Sequence, residues 1–409
     1  MKQTKYGYHW LIVIVCCGFS AATLGLISNS NGVFFKPMAD SLGVGIGSIT
    51  LFVTIANLVQ AVTCPLVAWL LNKWDIRVLC SSFILLTLLA LTLIAFTPNL
   101  YILYISAVML GVGITGFCVI PINVLLNNWF KEKLGLVVGI TFSFSGIAGA
   151  IFNPIFNNLI EVWGWRYTYL FMMIIIAIIS LPGALLIRNK PSDLNLKPYG
   201  DAKTAPITEK EKGAPSGLSL VTPIFIILIL FGVLLNGIIG FGSHVPTYAV
   251  VLGLSSAVGA SMMSLSMVSN VISKLILGYL NDHLGIIKSL LIYAVFVILG
   301  VLGLNYLSLA PNILQYLAPL GFGMVYAIST VGIPLLTKKL IGEKNFSISY
   351  SYINTFAMIV NAVMLSLNGF LYDLTGTYAL SLIIALTCAI GVFTILVIIS
   401  KKKFKTAEV

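Results

Sequence analysis

Residues Ile383-Ile384-Ala385-Leu386-Thr387-Cys388-Ala389-Ile390-Gly391-Val392-Phe393-Thr394-Ile395-Leu396-Val397-Ile398-Ile399 carry no charge, and the chain turns basic directly afterwards at Lys401-Lys402-Lys403. A helix over 377–400 rises ~1.5 Å per residue and so crosses a hydrocarbon layer of ~30 Å. Equivalent runs recur from end to end. Windows of about 19 residues place them near 10–34, 45–71, 77–97, 101–127, 134–160, 166–187, 220–243, 256–280, 287–308, 312–336, 346–371 and 377–400. The runs lack period-2 alternation, which excludes a membrane β-barrel and predicts an all-α membrane protein with twelve transmembrane helices.

Composition agrees. Of 409 residues, 59% are hydrophobic and 9% charged, against about 45–50% and about 25% in soluble domains. Soluble enzymes and nucleic-acid-binding domains are thereby excluded. The net charge of +11 sits in the short links, where the positive-inside rule accounts for it. Lys2 and Lys5 precede the first run as in a signal peptide, but the run is too long and has no cleavage pattern, so it reads as a retained helix. The cysteines Cys16, Cys17, Cys64, Cys80, Cys118 and Cys388 lie in or beside apolar runs without CxxC spacing, and read as small buried hydrophobes with no disulfide or metal role.

One long polar segment separates the sixth and seventh runs. The expected organisation is a six-helix bundle over 1–187, a cytoplasmic linker over 188–219, and a second six-helix bundle with a short cytoplasmic tail over 220–409. With both termini cytoplasmic, 20 of the 23 basic residues fall on the inner side and only Lys36 and Arg166 on the outer side. Lys274 is left over, inside the eighth span. The two bundles are weakly related: Gly278-Tyr279-Leu280-Asn281-Asp282-His283-Leu284-Gly285 follows span eight, and Ala68-Trp69-Leu70-Leu71-Asn72-Lys73-Trp74-Asp75 follows span two, 210 residues earlier.

The pattern G-x-L-x-D-[RH]-x-G at 278–285 resembles the signature loop of the major facilitator superfamily, and the copy at 68–75 is a degraded version. Gly32-Val33-Phe34-Phe35-Lys36-Pro37-Met38, Asn128-Trp129-Phe130, Gly164-Trp165-Arg166, Pro191-Ser192-Asp193-Leu194 with Lys197-Pro198-Tyr199-Gly200, and His244-Val245-Pro246 resemble its monocarboxylate and oxalate/formate branch. The resemblance implies a transporter rather than an enzyme. It also implies that a basic residue in span eight is the partner of the substrate carboxylate, and that Gly278, Asp282, Gly285 and Lys288 form an inner-side gating loop. The branch usually has Arg where this chain has Lys274. Its oxalate exchangers carry a second basic residue in span eleven, where Met358 and its neighbours are uncharged.

Lys274 also stands out on physical grounds. An ammonium near the midplane costs roughly 2.5–3.5 kcal/mol on insertion scales, so it faces water or a partner. All 12 acidic residues fall in links, tails or span ends, which leaves an anionic substrate as the counter-ion. Asn270, four residues earlier, shares its helical face. Asn29 and Asn31 in span one, Asn236 in span seven, Tyr326 in span ten, and Asn354 and Asn361 in span eleven are further candidates to line a central site; packing between helices is their ordinary role. His244 reads as an interfacial histidine at a helix end. Gly111, Gly113 and Gly116, and then Gly135, Gly139, Gly146 and Gly149, suggest close helix approach, with Gly135 and Gly139 at small-xxx-small spacing. Pro121, Pro154, Pro246, Pro319 and Pro334 are expected to kink or end helices.

The resulting expectation is a secondary transporter for a small monocarboxylate, of the lactate, pyruvate or formate kind. It works by alternating access as a symporter or exchanger, with a proton or a counter-anion as the coupled species and no cofactor. No G-x-x-x-x-G-K-[ST] motif is present for ATP. The alternatives are a carrier or exporter of larger amphipathic or neutral compounds, and a sensor built on a transporter fold. A monomer in a bacterial inner membrane, contacting lipid and no nucleic acid, fits the short links.

Overall fold

The computed structural model describes residues 4–71, 73–200 and 222–401. Among these, eleven helical stretches are long and apolar enough to cross a membrane. One of them, Leu134–Leu186, has 53 residues, about 80 Å of helix, far beyond one bilayer. Gly164 breaks it at φ 82°, ψ 163°, so it forms spans five and six, and the molecule is a twelve-span, all-α membrane protein. The Asn72 position of the degraded repeat and the Thr208–Lys212 part of the expected linker lie outside the described residues.

Polar links were expected between neighbouring spans, yet three of the corners are single glycines. Gly164, Gly285 and Gly342 share nearly one conformation, with φ 82°, 76° and 87° and ψ 163°, 156° and 167°. L side chains rarely adopt this region, so glycine lets one helix follow another with no intervening loop. Span eight consequently runs Ser256–Leu284 and span nine starts at Ile286. Span ten runs on to Ile341 through a π-helical turn at Ile328–Gly332.

Side-chain caps set other starts. Ser255 accepts from the Val258 N–H at 3.3 Å and so begins span eight; Asn99 accepts from Ile102 at 3.1 Å and begins span four. Asp75 caps Ile76–Ala95, accepting from the Arg77 N–H at 2.8 Å. The aspartate that breaks the repeat pattern at position 75 therefore serves as a helix cap. The Arg77 guanidinium also pairs with it at 2.6 Å and holds its carboxyl below the usual carboxylate range.

Contacts divide the chain into unit 1, Met1–Val44 with Leu51–Glu211, and unit 2, Gly45–Thr50 with Lys212–Val409. In unit 1 the residues after span six dock onto their own bundle. Trp129 Nε1 donates to the Arg188 carbonyl at 2.9 Å, Asn128 Nδ2 to the Asn189 carbonyl at 3.0 Å, and the Tyr199 N–H to the Trp129 carbonyl at 2.8 Å. His9, 3% exposed, sets its ring edge-on to Trp129 and bonds the Lys197 carbonyl through Nε2 at 2.9 Å. Residues 188–200 are thus a folded part of the first unit, where linker was expected.

Unit 2 is held by close crossings. Spans nine and ten meet at Gly300 and Gly321: a Cβ on Gly321 would lie 2.7 Å from the Phe296 carbonyl oxygen and 2.8 Å from Gly300 Cα. Unit 1 has the same device at Gly113, where a Cβ would meet Thr87 Oγ1 at 2.5 Å. Gly135 and Gly139 behave differently from expectation, because nothing lies within 4 Å of a Cβ at either position. Pro154 and Pro319 sit inside helices, whereas Pro246 and Pro334 stand in the first turns of Val245–Val251 and Ile333–Ile341, where a missing N–H costs nothing. Pro121 lies in the first turn of Val119–Trp129.

Candidate functional site

Span eight is fixed to span ten by hydroxyls on one face. Ser266 donates to the Pro319 carbonyl at 3.1 Å and Ser269 to the Leu320 carbonyl at 2.6 Å. Gly323 leaves room for this approach, since a Cβ there would lie 2.8 Å from Ser269 Cβ. On span nine, Tyr293 donates its hydroxyl to the Ser273 carbonyl at 2.6 Å. Two serine hydroxyls, and a tyrosine hydroxyl on the Ser273 backbone carbonyl, thus set the rotation and height of the helix that carries Lys274. Sequence reading missed them; the signal for the serines is the i, i+3 spacing of Ser266 and Ser269 on one helical face.

Lys274 stands ten residues before Leu284, about 15 Å from that helix end and about 27 Å from the other. Its side chain is half-buried. Among the described residues the ion pairs are Lys36–Asp40 and Asp75–Arg77, and Lys274 takes part in neither. A lysine at this depth thus has no protein counter-ion among the described residues.

Asn270, one turn earlier, is 5% exposed. Its Nδ2 points to Met267 Sδ at 4.0 Å, and its Oδ1 is buried without a hydrogen-bond partner. Asn270 and Lys274 thus lie on successive turns of span eight, the amide oxygen of the first without a hydrogen-bond partner and the ammonium of the second without an ion-pair partner among the described residues.

The other candidates divide. In unit 2, Asn236 donates to the Gly232 carbonyl of its own helix at 3.0 Å, and Asn354 contacts Met358 Sδ at 3.4 Å. Asn361 is half-buried. The Tyr326 hydroxyl occupies the space that a Cβ on Gly242 would need, and its ring stands edge-on to Phe322. In unit 1, Asn29 donates to the Ser145 carbonyl at 3.1 Å, joining spans one and five, and Asn31 opens a short 3-10 turn over Asn31–Val33. Asn29 and Asn236 thus have their amide hydrogens committed to packing.

Of the loop residues after span eight, the first of the motif is helical and the last is a corner. Gly278 lies within span eight with open space around it, and Gly285 forms the corner described above. Asp282 accepts from Asn281 Nδ2 at 3.2 Å. Asp282 and Lys288 are both exposed and make no ion pair among the described residues.

His244 corrects a second expectation. It is fully buried, with Nε2 2.8 Å from the Leu365 carbonyl and Nδ1 3.1 Å from the Tyr378 hydroxyl. A carbonyl only accepts, so Nε2 carries the hydrogen; in the neutral ring Nδ1 then accepts from Tyr378. Phe241 stacks on the imidazole. The histidine is a core polar joint of unit 2. Asn368, fully buried with neither amide atom partnered among the described residues, is another polar group that sequence reading passed over.

Comparison with known proteins gives concordant results. The sequence model of the Major Facilitator Superfamily matches residues 11–364. Monocarboxylate transporter 13 of Bos taurus is 24% identical over 381 residues, spanning 93% of this chain and 86% of that protein. An oxalate:formate antiporter of Oxalobacter formigenes is 25% identical over 291 residues, spanning 70% of this chain and 65% of that protein. Among solved structures, a bacterial homolog of the human lysosomal transporter Spinster, inward-facing and occupied, aligns with TM-score 0.70 at 12% identity over 99% of this chain and 98% of that one. At that identity the likeness is one of fold.

Proposed function

The chain belongs to the Major Facilitator Superfamily, and from that premise we propose that it moves a small monocarboxylate across the membrane by alternating access, with Lys274 as the charge partner of the carboxylate. One observation carries the reading: Lys274 is half-buried deep in span eight without an ion-pair partner among the described residues. In a low-dielectric setting such a charge favours a mobile anion strongly over a neutral or cationic solute. The names of the relatives, monocarboxylate transporters and an oxalate:formate antiporter, support an organic anion. Tyr352–Thr375 holds no basic residue, so one fixed charge meets one carboxylate, which favours monocarboxylates over oxalate. Tyr326 and Asn361 are proposed as additional substrate contacts. The coupled species is a proton or a second anion, and the orientation follows the basic links, with both termini in the cytoplasm of a bacterial cell.

Counterflow into proteoliposomes tests this. A panel of labelled small carboxylates is offered beside a neutral sugar and a cationic dye. A monocarboxylate is expected to exchange; movement of the dye or the sugar alone contradicts the reading and favours a drug-efflux type of carrier.

A further inference from the structure

Span two, Ile46–Leu70, starts without a cap of its own. The Gly45 carbonyl accepts from the Ser48 N–H at 3.2 Å and the Ile49 N–H at 3.4 Å. Gly45 therefore stands at the N-cap position, with no side chain to offer the first free N–H groups. Asp373 supplies the cap across 327 residues of sequence: Oδ1 accepts from the Ile46 N–H at 2.8 Å and Oδ2 from the Gly47 N–H at 2.7 Å. Asp373 lies in the last turn of span eleven, Glu343–Thr375, where the negative end of its own helix disfavours a carboxylate. Its placement is accounted for by the helix it caps. Among the described residues no cation pairs with it. Three glycines fit the contact. A Cβ on Gly45 would collide with the Asp373 carboxylate, and one on Gly47 would lie 2.5 Å from Phe370 Cδ1. One on Gly369 would lie 2.8 Å from Gly47 Cα and 2.5 Å from Thr50 Oγ1. Contacts accordingly group Gly45–Thr50 with unit 2, while the same helix continues from Leu51 with unit 1.

We propose that Asp373 is a releasable latch on the outer side of the carrier. Its carboxylate holds the start of span two on unit 2 while that side is closed, and lets go of the Ile46 and Gly47 amides each time it opens. The inference rests on the alternating access and the orientation proposed above. Asp373 is exposed, so water takes over the two charge-assisted bonds when they break, which keeps their net cost modest and suits a contact that opens and closes. The charge is essential. An asparagine accepts through one oxygen only and sets its NH2 group against the second amide. Weakening the latch shifts the population toward the open outer side.

Thr50, fully buried beside the contact, reports on it. In the full-length carrier, Thr50→Cys is expected to react slowly with a membrane-impermeant maleimide added from outside. Asp373→Asn in the same chain is expected to raise that rate at least about tenfold. Gly45→Ala, whose Cβ takes the space of the carboxylate, is expected to do the same from the other partner. The chain without Thr50→Cys gives the background from the six native cysteines. Ser381→Cys, also buried and near the start of span twelve, is expected to keep its rate in both variants. Unchanged labelling at Thr50→Cys in either folded variant overturns the latch. A rise of the same size at Ser381→Cys overturns it too, because it marks general loosening. If neither variant folds, the contact is a fixed structural requirement, and the latch is again overturned. Labelling needs no substrate, so a carrier that exchanges no monocarboxylate contradicts the proposed cargo and leaves the latch standing. Unchanged labelling beside normal exchange removes the latch alone.

Discussion

Lys274, half-buried, and His244, fully buried, are polar groups of unit 2 whose surroundings assign them opposite roles. His244 is satisfied at both ring nitrogens by Leu365 and Tyr378, so His244→Phe leaves a carbonyl and a hydroxyl unpaired and is expected to lower stability by about 1–3 kcal/mol, read as a fall in the unfolding midpoint in detergent. At Asp75, replacement by Ala removes a helix cap worth about 1 kcal/mol at neutral pH. Because its carboxyl is held below the ordinary range by Arg77, the stabilisation is present above the usual aspartate pKa of about 3.9 and is lost as pH falls through the lowered value. The difference between Asp75→Ala and wild type should accordingly vanish in acid, which denaturation at a series of pH values checks. Lys274 was legible by subtraction alone, because topology accounts for every other basic residue. The state of His244 was not, since its partners lie 121 and 134 residues away in the chain, and nothing local distinguishes an interfacial histidine from a buried one.

Glycines show the same division among elements. Gly300 and Gly321 let two backbones touch, so Gly300→Leu forces spans nine and ten apart and is expected to cost about 1–3 kcal/mol. Gly139→Ala meets open space and is expected to leave stability within about 0.5 kcal/mol. Thermal unfolding of the two variants side by side checks the contrast. Spacing had favoured Gly135 and Gly139 as the contact pair, and spacing was the wrong guide because it does not say which face of a helix has a neighbour. The twelve apolar runs were readable because burial in lipid demands about 20 apolar residues. Their joints were less so: the corners at Gly164, Gly285 and Gly342 and the π-helical turns at Ala21–Ser28 and Ile328–Gly332 depend on backbone geometry that hydropathy does not register.

For the molecule as a whole, the basic links predict orientation. Reporter fusions active only outside the cytoplasm should be silent after residues in the 131–133 and 338–339 links and active after Asn99, and the reverse pattern would invert the proposed topology. The division into two units and the membership in the Major Facilitator Superfamily make a carrier of the chain, but they leave its cargo to the site, because one fold serves many substrates. The feature that points to that cargo is the Lys274 ammonium, without an ion-pair partner among the described residues. The most direct test is counterflow of a labelled monocarboxylate by wild-type and Lys274→Gln protein reconstituted in parallel and matched for folded content. The account predicts exchange by the wild type and at least about a hundredfold loss in the variant, whereas equal exchange by both would contradict it.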